Sequence, residues 1–291
     1  MNSEPKLLTL ILSHDEGPFK LIQDQGQDKT FVPSACENST VLRYIGIPRN
    51  LPNRFRIIFA WRRIQYHSLS WSNIWPLSFL LKWIANLRLF DNAIRDVYQE
   101  PSREGRKGVS EIESKIGLAK TIVVDTPEDW SLIGLKTLQA FKFVLENYDF
   151  DYLFRTNTSS YVDTSALLET LRTLPKRNLY SGVIGRVFGD LSFASGAGVL
   201  MSRDVLERVC QLEKSWNHGL VDDIALGVIV GSLRNPSVNL TALSRLDIPS
   251  LEVAQQTSKE LIMKNYHFRC KSKSPVETVD IMKHLQIIKE S

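Results

Sequence analysis

Short runs rich in leucine, isoleucine and valine alternate along the chain with stretches whose apolar residues recur every three or four positions. That alternation predicts an α/β fold, a mixed sheet flanked by helices. Strands are expected over residues 7–13, 41–47, 121–124, 152–156, 179–184 and 197–201. Thr126-Pro127-Glu128-Asp129 reads as a helix start, with threonine as cap and proline in the first turn, and the helix it opens runs to about residue 148 on Leu135, Leu138, Phe141 and Leu145. Asp163 is expected to cap a helix carrying Leu167, Leu168, Leu171 and Leu174 that stops at Pro175. Further helices are predicted over about 203–212 and 222–233, and a last one through Ile281, Leu285 and Ile288.

Residues 50–110 break the pattern and are expected to form a helical insertion within a single domain spanning 1–291. From Arg54 to Phe90 this stretch has Arg54, Arg56, Arg62, Arg63, Lys82 and Arg88 with no acidic residue, and four of the chain's six tryptophans, Trp61, Trp71, Trp75 and Trp83. Two readings stay open. Such a mixture suits a helix lying in the headgroup layer of an anionic membrane or a lipid-linked glycan acceptor, and it equally suits a packed helical segment with solvated arginines. Residues 102–108 read as a mobile loop.

Composition narrows the classes. A net charge of +4 on 291 residues is too mild to argue for nucleic acid, and no nucleic-acid partner is expected. Cys36, Cys210 and Cys270 are odd in number, widely spaced and outside any CxxC pattern, which argues against a disulfide framework or a zinc site and fits reduced thiols in a cytoplasmic setting. Residues 1–5 have no basic leader region, and no stretch approaches the roughly 20 uninterrupted apolar residues that cross a bilayer. The expected location is cytoplasmic, with peripheral attachment at the inner membrane face as an extension of the insertion reading.

Candidate chemistry concentrates in two segments. Ser195-Gly196-Ala197-Gly198 precedes Val199-Leu200-Met201-Ser202 and reads as a strand whose glycines let another backbone or a flat ligand come close. Asp222-Asp223 opens the apolar run Ile224-Ala225-Leu226-Gly227 and sets two carboxylates at a helix mouth. Either they cap the helix or one of them serves as a general base. A helix N-terminus favours the ionised carboxylate, so this position is expected to lower its pKa.

The order of these signals resembles the GT-A glycosyltransferases of the β-1,3-galactosyltransferase and Fringe type. Asp129-Trp130-Ser131-Leu132 with Lys136-Thr137 is similar to that family's acidic-aromatic segment and Lys-Thr helix. Tyr161-Val162 matches the residues after its Asp-x-Asp metal motif, Ser195-Gly196-Ala197-Gly198 its glycine-rich strand, and Asp222-Asp223-Ile224 its Glu/Asp-Asp-Val motif. The likeness covers roughly residues 119–230. It implies a GT-A (nucleotide-diphospho-sugar transferase) fold and transfer of a sugar from a nucleotide-sugar donor to a glycan or lipid-linked acceptor hydroxyl, with inversion, in synthesis of a surface polysaccharide. By position Asp223 corresponds to the base, with Asp222 beside it, and Gly196, Ala197, Gly198 and His218 face the acceptor.

One departure stands out. The three carboxylate positions of the metal motif become Asn157, Thr158 and Ser159, poor ligands for a hard divalent cation. A metal-independent enzyme without a cofactor is therefore expected, in which Arg155, His267, Arg269 and Lys271, with Lys273, supply the positive charge and Asn157, Thr158 and Ser159 bond the donor's ribose or phosphates. His14 and Asp15 follow the first strand, where this fold receives the nucleotide base. An exposed basic tail is the alternative for residues 267–273, and a catalytically inactive glycan- or nucleotide-binding protein is the alternative for the whole chain. Asp149-Phe150-Asp151 spells the metal motif but precedes its strand, at the wrong end for a ligand.

Overall fold

A computed structural model describes residues 4–14, 16–47, 110–112, 119–187, 191–233 and 237–291. The insertion expected over 50–110, all but its last residue, the 102–108 loop and Asp15 lie outside the described residues. The strands are β1 (Leu7–Leu12), β2 (Ser39–Ile47), β3 (Ser110–Ile112), β4 (Lys120–Pro127), β5 (Tyr152–Asn157), β6 (Ser160–Val162), β7 (Leu179–Val187), β8 (Leu191–Ser202), β9 (Asn239–Ala242), β10 (Leu246–Asp247) and β11 (His267–Arg269). The α-helices are α1 (Gly17–Leu21), α2 (Ile133–Asn147), α3 (Thr164–Leu171), α4 (Arg203–Gln211), α5 (Asp222–Ser232), α6 (Leu251–Gln256), α7 (Lys259–Lys264) and α8 (Pro275–Glu290).

Eight strands form one mixed sheet in the order β3-β4-β2-β1-β5-β8-β7-β9, so the α/β sheet flanked by helices that the hydrophobic pattern predicts is present. The β4-β2-β1-β5 core is parallel, and β8 runs antiparallel between β5 and β7. Because successive strand residues point to opposite faces, β1 sends Leu8 and Leu10 into one core and Leu7 and Ile11 into the other. The first core is closed by α2, α4 and α5, with Phe141, Leu206 and Ile229 fully buried. The second is closed by α3, α6, α7 and α8, with Leu167, Ile262 and Met282 buried. Each such side chain contributes roughly 1.5–3 kcal/mol on leaving water.

Connectivity places a crevice. β1 leads through α1, whose following turn packs Ile22 in the second core, to β2 on one side of it, whereas β4 leads through α2, over the first core, to β5 on the other side. The order of strands thus reverses between β1 and β5, and the segments leaving their carboxyl ends part to opposite faces. Open α/β sheets receive ligands at such a point. Here it lies at Ser13, His14 and Asn157, beside the register pair Leu12 and Asn157.

One expectation, and the exposed-tail alternative for residues 267–273, fail for tertiary reasons. The helix expected at Thr126 begins at Ile133, after a 3-10 turn over Trp130–Leu132, because β4 continues to Pro127. Thr126 does not cap. Its hydroxyl donates to Gln139 Oε1 at 2.6 Å, and Glu128 is taken by β2 and α2. The basic tail is also more regular than an exposed segment, since His267–Arg269 forms the middle strand of a second sheet, β10-β11-β6. By contrast, Asp163 does cap α3, accepting from Ala166 N–H at 3.0 Å.

Candidate functional site

The segment Ser195-Gly196-Ala197-Gly198 is a bulge. Ile184 pairs with Ala194 and Gly182 with Val199, so residues 195–198 of β8 face only Val183 on β7. A bulge interrupts the two-residue alternation and changes the direction of the side chains along the strand. Gly196 accordingly turns its open side to Arg155 and Asp223, and Gly198 turns its own to His267. The glycines make room for side chains of the protein, which corrects the expectation that Gly196 and Gly198 admit a ligand on those faces.

Arg155 and the two aspartates are locked around Gly196. The Arg155 guanidinium donates to the Gly196 carbonyl, forms an ion pair with Asp222, and bonds Tyr44 Oη through Nε at 3.2 Å. Its side chain is 5% exposed and that of Asp222 11%. Its charge is matched by an aspartate that is itself buried, so Arg155 is a brace beneath the site, and this corrects its expected part as a cation facing the donor. Asp223 accepts from Gly196 N–H at 2.8 Å through one oxygen and from Ile224 N–H at 2.9 Å through the other. Each carboxylate oxygen has two lone pairs, so one on each remains for a proton or a substrate hydroxyl.

Capping does not explain this pair. Val221 occupies the cap position of α5, Asp222 bonds Arg155 across the sheet, and only one oxygen of Asp223 serves the helix backbone. Nor does the helix terminus set the acidity. Burial and the neighbouring Asp222 charge push the Asp223 carboxyl up to about 6, against the Gly196 and Ile224 N–H groups and Arg155, which pull it down. The expected lowering is thus reversed: in a site this buried, desolvation and like charge outweigh two backbone donors. A carboxylate with a pKa near neutrality is suited to take a proton at physiological pH.

A second buried brace, which the hydrophobic pattern does not announce, joins the ends of three strands. Lys136, 2% exposed, donates from Nζ to Ser13 O at 3.1 Å and to Glu128 Oε1 at 2.5 Å, while Glu128 Oε2 accepts from Gly46 N–H at 2.5 Å. Burial lowers the Lys136 pKa, and Glu128 opposes that shift. The resemblance marks Lys136 as a motif residue. Glu128 serves this brace in place of the helix start its sequence neighbours spell.

The turn after β5 carries the three positions that depart from the metal motif. Asn157 Oδ1 accepts from Ser159 N–H at 3.2 Å, Ser159 Oγ at 2.9 Å and Ser160 Oγ at 3.3 Å. Buried Gln27 draws the carbonyls of Asn157, Thr158 and Ser160 to its own Nε2, each at 3.2 Å. The turn's amide oxygen and three of its carbonyls are therefore bonded within the protein, and the hydroxyls beside them are neutral, weak ligands for a hard divalent cation. Among the described residues no three His, Cys, Asp or Glu side chains converge to hold a metal. Thr158 is buried, and what Asn157 has left is its amide N–H donors, which suit an anion.

The tail lies alongside this turn, through β11 paired antiparallel with β6 and Cys270 N–H donating to Ser159 O at 2.7 Å. His267 is not a cation there. Burial, and then Arg245, lower its pKa to about 3 against the opposing pull of Asp247, so its ring is neutral. It stacks edge-on to Phe154 at 5.1 Å and sits 3.3 Å from Ser160 Oγ. A Cβ on Gly198 would stand 2.6 Å from His267 Nδ1 and nearer still to Cε1. Gly198→Ala is therefore expected to lower stability by about 1–3 kcal/mol, the usual cost of overpacking. Urea unfolding checks this as a double-mutant cycle with His267→Ala, in whose background Gly198→Ala is expected to cost much less.

Arg269 stays beside the turn, and Lys271 is exposed beyond it. Arg245 is a further member that the sequence does not announce. Its side chain is 7% exposed, donates from Nη1 to Ser195 Oγ at 3.2 Å and makes a two-point ion pair with Asp247. His14 lies at the crevice, its Nδ1 accepting from Glu16 N–H at 3.2 Å. His218 is buried in the segment before α5. Asp149 and Asp151 are at the amino end of β5, bonded to Lys6, away from all of these, as expected.

Neither a protein-family model nor a curated protein matches the chain by sequence. Among solved structures it is similar to the mannosyltransferase PcManGT from Pyrobaculum calidifontis, described in complex with GDP-Man and Mn2+, at 9% identity and a TM-score of 0.40 over 98% of this chain and 70% of that one. It is also similar to the glycosyltransferase GlyE of Streptococcus pneumoniae TIGR4, at 9% identity and a TM-score of 0.35 over 84% of this chain and 46% of that one, so the chain spans less than half the length of GlyE.

Proposed function

We propose that the protein is a glycosyltransferase that moves a sugar from a nucleotide-sugar donor to an acceptor hydroxyl with inversion, using Asp223 as general base. The observation that carries this reading is Asp223 itself: a carboxyl with its pKa pushed up to about 6, fixed to the Gly196 bulge beside the point where strand order reverses. In the reaction the acceptor oxygen bonds to the anomeric carbon and its proton passes to Asp223. The bond from that carbon to the donor phosphate breaks, and its electron pair leaves with the nucleoside diphosphate. Tyr44, Arg155 and Asp222 hold the base in place, and Lys136 with Glu128 holds the ends of β1 and β2.

The chemistry of the Asn157 turn supports a reaction without a divalent metal, since its amide oxygen is bonded internally and it presents amide N–H donors and neutral hydroxyls where carboxylates would be needed. We extend the reading to surface polysaccharide synthesis on a glycan or lipid-linked acceptor, in the cytoplasm or at the inner membrane face. No helix among the described residues is long and apolar enough to cross a membrane. A panel of nucleotide sugars, assayed with excess EDTA and without it, is expected to give transfer in both. Loss of transfer on chelation would contradict metal independence, and no binding of any nucleotide would leave the enzyme reading without support.

A further inference from the structure

We propose that Arg245, together with Ser195 and Arg269, forms a built anion site at the β8 bulge, and that it receives the diphosphate of the donor. The inference rests on the glycosyl-transfer reading for the identity of the ligand, and on side-chain geometry for the site. Arg245 is held edge-on by Asp247, with Nε to Oδ1 at 2.6 Å and Nη2 to Oδ2 at 3.1 Å, which fixes the plane of the guanidinium. Five N–H groups less the two given to Asp247 and the one given to Ser195 Oγ leave two for a ligand, as far as the described residues go.

The ion pair does not cancel the positive field. The Asp247 side chain is 57% exposed and screened by water, whereas that of Arg245 is 7% exposed. A second cation reinforces it, because β10 and β11 run side by side with Asp247 level with Arg269, whose buried Nε has no hydrogen-bond partner among the described residues. Arg269 is paired with Ser160 at the end of the Asn157 turn, and the neighbouring His267 ring is uncharged, so the positive charge here comes from the two arginines.

Placement relative to the base gives the site its purpose. Ser195, which bonds Arg245, adjoins Gly196, whose N–H is held by Asp223. Cation and base are therefore anchored to adjacent residues of one stretch of backbone. An inverting displacement needs the base on one side of the sugar and the leaving group on the other, and fixed donors aimed at developing phosphate charge do the work otherwise given to a metal.

Calorimetric titration of the full chain with inorganic pyrophosphate in EDTA tests this. Wild-type protein is expected to bind, Arg245→Gln and Arg269→Gln to weaken binding by about tenfold or more each, as for loss of a charge-assisted bond, and Lys264→Gln, an exposed residue paired with Glu260, to bind as wild type. Should Arg245→Gln fold poorly by circular dichroism, Arg269→Gln and Ser195→Ala carry the test. No pyrophosphate binding by wild type, or undiminished binding by the folded variants, overturns the anion site. A parallel titration with nucleoside diphosphates separates the two claims. If these bind more tightly than pyrophosphate regardless of Arg245, the donor reading stands and the anion site falls. If pyrophosphate depends on the arginines but no nucleoside adds affinity, the anion site stands and the donor reading falls.

Discussion

Asp223→Asn is expected to cut turnover by at least about 100-fold, the ordinary contribution of a positioned general base, while leaving the fold intact. Asparagine keeps the shape and can accept from Gly196 N–H through its oxygen, so the bulge retains its partner, while the bond from Ile224 N–H is given up to water at the helix mouth. What is lost is the proton acceptor. Stability should change little, because the lost Ile224 bond is offset by removal of a buried charge. A carboxyl whose folded pKa is raised from 3.8 to about 6 binds its proton more tightly in the native state, so its unfavourable effect on folding grows as pH rises from about 4 through 6 and is fully present above that. Removing the charge removes that cost. Thermal unfolding at about pH 7.5, well above both values, should therefore show Asp223→Asn close to the wild-type midpoint, and a large drop in midpoint would mean that Asp223 is a structural residue.

Arg155→Met is expected to be the most destabilising single change, at about 3–5 kcal/mol. The Asp222 carboxylate, the Gly196 carbonyl and Tyr44 Oη would all lose a donor in surroundings where the pair is 5% and 11% exposed. Removing one partner strands a buried charge, whereas replacing both with apolar residues of similar volume is often neutral. The double variant Arg155→Met with Asp222→Leu should hence recover most of the stability and little of the activity, since the Gly196 carbonyl then loses its Arg155 donor and the bulge that carries Asp223 is held by the Gly196 N–H alone. Urea denaturation of the wild type, both single variants and the double variant measures the coupling. A cost below about 1 kcal/mol for Arg155→Met, the range of a solvent-screened pair, would remove its positioning role.

The strands are legible in the sequence because their cause is local. Leu7 to Leu12 is buried on both faces and could hardly be anything else, and Asp163 caps because its partner, Ala166, is three residues away. Distant causes are not legible in this way. Thr126 and Glu128 spell a helix start, yet their side chains bond Gln139, Lys136 and Gly46, so the strand continues past them. Arg155 precedes the metal-motif positions and looks like a cation for the donor until Asp222, 67 residues on, is seen beneath it. Gln27 and Arg245 give no signal at all, because what makes each of them part of the site is a hydrogen bond across 130 or 50 residues.

The site itself is half legible for the same reason. Adjacent aspartates at a helix mouth and a glycine-rich strand mark a place, but the direction of the Asp223 pKa depends on how deeply that place is buried, which no short motif encodes. The glycines carry a true message about close approach with the wrong visitor, since His267 and Arg155 occupy the space. His267 illustrates the converse: a basic residue in a basic segment is neutral once burial and Arg245 are counted.

The most direct measurement of Asp223 as the base of a metal-independent transfer is the pH dependence of kcat/KM for the wild-type protein in excess EDTA. A single base that must be ionised predicts that transfer persists under chelation, is level above about pH 7, and falls towards about tenfold per pH unit below about 6, following Asp223. A profile flat through about pH 6, or one that appears only when a divalent metal is restored, would contradict it.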